Sequence, residues 1–277
     1  MGPFRTIGAA LVAIAVLTTQ ALAADPAAVR TMLEKSGFVA QYSDLGEQMR
    51  QGMIDSPPPM LPPGVAALMA TIVGNTMDGN KLLDEVENVL AASLSDEDVA
   101  ALDAFFDSDF GARIVRAEVA GSSLAAQKEV SGRIEALVAE AKKAPERIAI
   151  FERIDKVLRT SELSARASES LLRAMATAMA EASPMPPEPD KLAEADARIA
   201  AMHDSLVAQA STMIVASAQY VYRDFSAAEM RRYADFLETA SSQVMYAAFS
   251  GVMDTFYAET GKRIGKEFAA AVRQQKT

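Results

Sequence analysis

His203 is the single imidazole in 277 residues, and the chain has no cysteine. Those two counts exclude multi-histidine metal cages, thiolate metal sites, thiol nucleophiles and disulfide frameworks. His203 precedes Asp204 in a stretch expected to be helical, and a catalytic triad would need a positioned serine and carboxylate that this spacing does not supply. It reads as a capped or exposed histidine with no assigned role. Softer chemistry resides in Met49, Met53, Met60, Met175, Met179 and Met185. Spaced thioethers can ligate Cu(I), but methionines at four-residue spacing also fill irregular helical cores. A copper site would require three converging sulfurs.

Asp96, Glu97 and Asp98, with Asp107 and Asp109, lack the glycine and closing glutamate of a calcium loop. Acidic residues in a first helical turn are what the helix dipole favours. Gly261-Lys262-Arg263-Ile264-Gly265-Lys266 has the look of a phosphate loop without its full spacing, following hydroxyl or preceding strand. It reads as an exposed basic stretch near a C-terminal helix end. Gly-x-Ser-x-Gly, Ser-x-x-Lys and His-Glu-x-x-His do not occur. No catalytic, cofactor-binding or metal-binding residue is assigned, and a non-enzymatic protein without cofactors is expected. Phe105, Phe106, Phe110, Phe236, Tyr246, Phe249, Phe256 and Tyr257 gather around two similar segments. They suit core packing, or an apolar groove that receives a partner helix or a lipid chain.

The elements that must position these residues are helices. Ala, Leu, Met, Glu, Arg and Lys dominate, and two-residue alternation of β-branched or aromatic residues is absent. Nine of the twelve prolines fall in two clusters, Ser56 to Pro63 and Ser183 to Pro189, and each cluster must end a helix. Val29 to Ser36 aligns with Ile154 to Ser161 at an offset of 125 residues, and Leu94 to Val99 aligns with Phe225 to Met230 at 131. In each copy of the second match a serine, Ser95 or Ser226, is followed three residues later by a carboxylate, Asp98 or Glu229. This is a capping box, and the flanking pairs Leu94 with Val99 and Phe225 with Met230 form hydrophobic staples. An all-α helical bundle of two similar repeats is expected, 24–144 and 145–277, with Pro145 in the first turn of a helix and the option of one interlocked bundle. A long helix is expected from Gly111 to about Lys143. A second is expected from Asp190 to Tyr222, with Ile199, Met202, Leu206, Met213, Ile214 and Val221 inward.

Residues 1–23 read as a cleavable export signal: Arg5, an apolar run from Ile7 to Leu17, then Ala21-Leu22-Ala23, with cleavage between Ala23 and Ala24. The run is too short to span a bilayer comfortably, so no integral membrane span is expected after its removal. The signal carries one basic residue and no acidic one, so the mature chain has 26 basic and 37 acidic residues, a net charge of -11. Such a charge disfavours nucleic acid and anionic lipid. The expected location is the periplasm or the extracellular space.

Ser95-x-x-Asp98-Val99-x-x-Leu102-x-x-Phe105-Phe106-Asp107-Ser108-Asp109-Phe110-Gly111 resembles the signature of a bacterial exported family, the domain of unknown function 2059. There a capped acidic helix runs into Phe-aromatic-x-Ser-Pro-x-Gly and a further helix. The second copy, from Ser226 to Ser242, is similar, with Thr239 for the serine and Ser242 for the glycine; Asp109 and Ala240 stand where the proline would be. The resemblance implies an all-helical exported protein and brings no catalytic residues. The expected function is a binding or accessory module of the bacterial envelope. The alternatives are a carrier of an apolar ligand in the bundle, an enzyme site assembled from distant carboxylates, and an envelope Cu(I)-binding protein.

Overall fold

The computed structural model describes residues 23–55, 57, 62–182 and 189–274. The described residues form fourteen helical segments and no strand. In the first half these are α1 (Pro26–Lys35), α2 (Phe38–Tyr42), α3 (Leu45–Asp55), α4 (Pro63–Thr76), α5 (Gly79–Ser93), α6 (Asp96–Phe106), α7 (Asp109–Ser122) and α8 (Leu124–Ala141). The second half contains α9 (Pro145–Leu158), α10 (Thr160–Ala182), α11 (Pro189–Ala201), α12 (His203–Val221), α13 (Ala227–Leu237) and α14 (Ala240–Gln274).

Both capping boxes form. Ser95 Oγ accepts from the Asp98 amide at 3.2 Å while Asp98 Oδ2 accepts from the Ser95 amide at 3.0 Å. Ser226 and Glu229 repeat the pattern at 3.2 and 2.8 Å. The boxes open α6 and α13, eleven residues each, and the staple pairs Leu94, Val99, Phe225 and Met230 are all buried. Each capping carboxylate also meets the other half of the chain. Ser241 Oγ donates to Asp98 Oδ1 at 2.6 Å, and Arg113 Nη1 donates to Glu229 Oε1 at 2.8 Å. Between the two helices Phe105 stacks on Phe236 with centroids 3.5 Å apart and planes 6° from parallel.

One hydrophobic cluster draws on both halves, with Val29, Met69, Leu82, Leu102 and Ile114 beside Phe151, Met230, Tyr233, Met245 and Phe268. The 35-residue α14 is the main strut, packed on α10, α5 and α4. Gly261 and Gly265, both buried, face α10, where an added Cβ would lie 3.0 Å from the Ser170 and Ala174 carbonyl oxygens respectively. Small residues one turn apart thus allow two backbones to approach, which accounts for the phosphate-loop look of 261–266. Lys262, Arg263 and Lys266 are exposed, as expected.

Two expected long helices are interrupted. The first begins at Asp109, not after Gly111, and breaks at Ser123, whose hydroxyl accepts from the Ala126 amide at 3.3 Å and starts α8. Serine here competes for the backbone as a cap. The second breaks at Met202, between α11 and α12. Met202 and Met213, expected inward, are 46% and 45% exposed, and Val215 with Ala216 is buried instead. Ile199, Leu206, Ile214 and Val221, also expected inward, are half-buried, and Val221 packs against the core. Pro145 does open α9, after Ala144.

Candidate functional site

A cavity of about 280 Å³ lies where α2, α7, α10, α13 and α14 converge. Seven of its fifteen described lining residues are aromatic, and Glu118 is the only charged one among them. Five of the six tyrosines of the chain line it: Tyr42, Tyr222, Tyr233, Tyr246 and Tyr257.

Local sequence features bring each wall into place. Gly37 adopts a left-handed φ of 80° between α1 and α2, and a side chain there would collide with Val119 and Val115 of α7. Glycine reaches this conformation without the steric penalty of other residues. Phe38 and Tyr42 of α2 are thereby laid against Phe249, with Phe38 edge-on at 4.6 Å between centroids. Ser108 caps α7 by accepting from the Gly111 amide at 3.0 Å, and Phe110, Ile114 and Glu118 then follow at four-residue spacing. The capping box at Ser226 starts α13 and so places Tyr233. On α14, Tyr246, Phe249, Met253 and Tyr257 form one stripe at helical spacing. Tyr222 is held from behind by Arg147, whose guanidinium donates to the carbonyls of Tyr222 at 3.0 Å and Phe225 at 2.6 Å, and to Gln219 at 3.1 Å. The α10 wall is set by Asp155, which accepts from both the amide and hydroxyl of Ser161 across a left-handed Arg159.

The chemistry centres on Glu118. Tyr222 and Tyr233 donate their hydroxyls to Glu118 Oε1 at 2.6 and 2.7 Å. Both bonds fall on one oxygen, so Oε2 has no donor among the described residues. Nor does Glu118 form an ion pair with any described residue. Desolvation raises its pKa above the ordinary carboxylate value, and the two tyrosine hydrogen bonds oppose that rise only in part. Burial also pushes the phenols up, Tyr257 to about 12 and the other four higher than their ordinary value. At neutral pH the phenols are therefore protonated donors. The rim is polar, with Ser164 exposed and Gln41 and Thr160 half-buried.

The residues singled out from sequence are distributed unevenly about this cavity. Tyr246, Phe249 and Tyr257 line it. Phe105, Phe106, Phe110 and Phe236 form a neighbouring ring cluster with Phe225 and Tyr233, while Phe256 is buried beside Tyr257. His203 is neither capped nor free. It lies between two carboxylates, Nδ1 2.6 Å from Glu169 Oε1 and Nε2 3.3 Å from Glu162 Oε2, and the Glu169 contact raises its pKa. Met49 is 41% exposed on α3, whereas Met53 and Met175 pack against the core from α3 and α10. Met60, Met185 and the Met179 side chain lie outside the described residues, as does most of the signal stretch. Among the described residues no group of three or more His, Asp or Glu is placed to hold a metal ion. Ala23 is exposed, and Ala24 is buried, its amide donating to the Leu94 carbonyl at 2.9 Å.

Glu118 was not anticipated from sequence, although a signal existed. A carboxylate four residues after Ile114 and eight after Phe110 occupies the apolar face of its own helix. A charge in that register either unfolds the face or serves a purpose there. No described helix is long and apolar enough to cross a membrane. No family model, curated protein or solved structure matches the chain.

Proposed function

We propose that this protein is an exported, non-enzymatic binding module of the bacterial envelope, and that its central cavity holds a small ligand. One observation carries the reading: a cavity walled by aromatic rings, with a polar rim and one carboxylate oxygen that has no partner among the described residues. Ligand sites are typically concave and mainly apolar, with few polar groups fixing orientation. The protonated phenols serve such a site as donors and ring faces. Export rests on residues 1–23, and the position of Ala24 supports it. Cleavage there would leave an amino terminus two residues before α1, where Asp25 Oδ1 accepts from the Ala27 amide.

The two halves are further proposed to be copies of one helical unit. Support comes from the paired capping boxes, the equal lengths of α6 and α13 and the stacking of Phe105 on Phe236, positions 131 apart like the boxes themselves. The packing of α1 on α6 and of α9 on α13 adds to it. The domain of unknown function 2059 remains the family proposed on the quoted residues.

Native mass spectrometry of the protein purified from its own host tests the binding role. The expected result is a bound small molecule that is absent from a Ser164→Trp variant, in which an exposed rim position becomes bulky. An unmodified mass for the wild-type chain across growth conditions would overturn the carrier reading.

A further inference from the structure

We propose that the ligand of the cavity is a compact organic cation, a substituted ammonium held between the Glu118 carboxylate and the faces of the surrounding rings. The inference rests on the cavity being a ligand site and specifies the chemistry it selects.

Three features of the wall favour a cation over a neutral or anionic guest. Glu118 is the sole charge in the lining among the described residues, none of which is a basic residue facing it there. The space is therefore electronegative and would repel a carboxylate or phosphate. Glu118 Oε2 accepts no hydrogen bond from the described residues, although Oε1 accepts two. A half-buried carboxylate that lines the cavity, with one oxygen free and no counterion among the described residues, is open to a charge-assisted hydrogen bond from a positive guest. Seven aromatic side chains line the wall, with Phe38, Tyr42 and Phe249 in mutual contact on one side and Tyr246 and Tyr257 along α14. Aromatic faces attract ammonium groups strongly once water is excluded. The five tyrosines combine that property with hydroxyls that stay neutral. A volume of about 280 Å³ sets the size, admitting a small ammonium compound and excluding a long acyl chain.

The chain supplies its own reporter. It has no tryptophan, and five of its six tyrosines line the cavity, so intrinsic tyrosine fluorescence is nearly a cavity signal. Mature protein would be titrated with choline and, separately, with its neutral carbon isostere 3,3-dimethylbutan-1-ol, with calorimetry as a second readout. Choline is expected to bind about tenfold or more tightly than the isostere. Glu118→Gln, which keeps an acceptor for the two tyrosines, is expected to erase that preference while leaving isostere binding unchanged. Tyr257→Leu should weaken choline and spare the isostere, a second check if Glu118→Gln perturbs folding. Equal affinity for both compounds, or a preference that survives Glu118→Gln, would overturn the cation inference and leave the cavity reading standing. No response to either compound in wild-type protein would overturn both.

Discussion

Replacing Glu118 by glutamine is expected to stabilise the protein at neutral pH, and replacing it by leucine to destabilise it. The sign follows from the raised pKa of Glu118. Above its ordinary value of 4.5 the unfolded chain releases this proton readily, while the folded chain retains it to higher pH. Folding stability therefore falls as pH rises from about 4.5 through the folded pKa, and is fully present only below. Glutamine removes this titration yet keeps an amide oxygen for the Tyr222 and Tyr233 hydroxyls. Leucine also removes the charge but leaves those two hydroxyls unpaired, on side chains that are 8% and 2% exposed. An unsatisfied buried donor costs about 1–3 kcal/mol, so glutamine should exceed leucine by about 2–6 kcal/mol at any pH. Denaturant unfolding followed by far-UV circular dichroism, at about pH 4 and about pH 8, separates the two effects. The gain of glutamine over wild type should be small at the lower pH and larger at the higher one. A pH-independent difference between glutamine and wild type would refute the burial reasoning, and leucine equal to glutamine would refute the hydrogen-bond reasoning.

Ser226→Ala and Ser95→Ala should each lose about 1 kcal/mol of unfolding free energy, the usual value of an N-cap. Glu229 has its pKa lowered to about 2, chiefly by the Ser226 amide, so its share is present above the ordinary 4.5 and vanishes as acid takes the pH toward 2; acid unfolding curves of Glu229→Gln should show it. Gly265→Leu forces side-chain bulk against the Ala174 backbone, 3.0 Å away, and should cost about 1–3 kcal/mol in thermal unfolding. Unchanged stability would mean that α10 and α14 can separate freely. His203 has a raised pKa through Glu169 and Glu162, so its stabilisation is fully present below its ordinary 6.5 and declines as pH rises beyond that. Protection of the α12 amides, taken relative to their intrinsic base-catalysed exchange rate, should fall over that range in wild type and not in His203→Gln, and identical protection profiles would argue against the clasp.

Much of the architecture is legible along the chain because its causes are local. A capping box needs four consecutive residues, proline suits the first turn of a helix, and a staple joins near neighbours; hence the starts of α6, α9 and α13 are readable from residue types. The breaks at Ser123 and Met202 are less readable. A serine in a helical stretch is compatible with either outcome until neighbouring helices demand a change of direction, and nothing in the residues around Met202 forbids continuation. Of the inward set expected for 190–222, Ile199, Leu206, Ile214 and Val221 are half-buried while Met202 and Met213 face solvent.

The cavity belongs entirely to the tertiary structure. Tyr42, Glu118, Tyr222 and Tyr257 are scattered over more than two hundred positions and become neighbours only when both halves share one core. Hydrogen bonds between a carboxylate and two phenols leave no mark at fixed sequence spacing, because their geometry depends on how helices cross and not on chain distance. What the sequence determined alone was helical content, capping and punctuation, all governed by interactions within a turn or two. Which polar groups are buried together, and hence what the molecule can bind, was decided by packing between elements far apart along the chain.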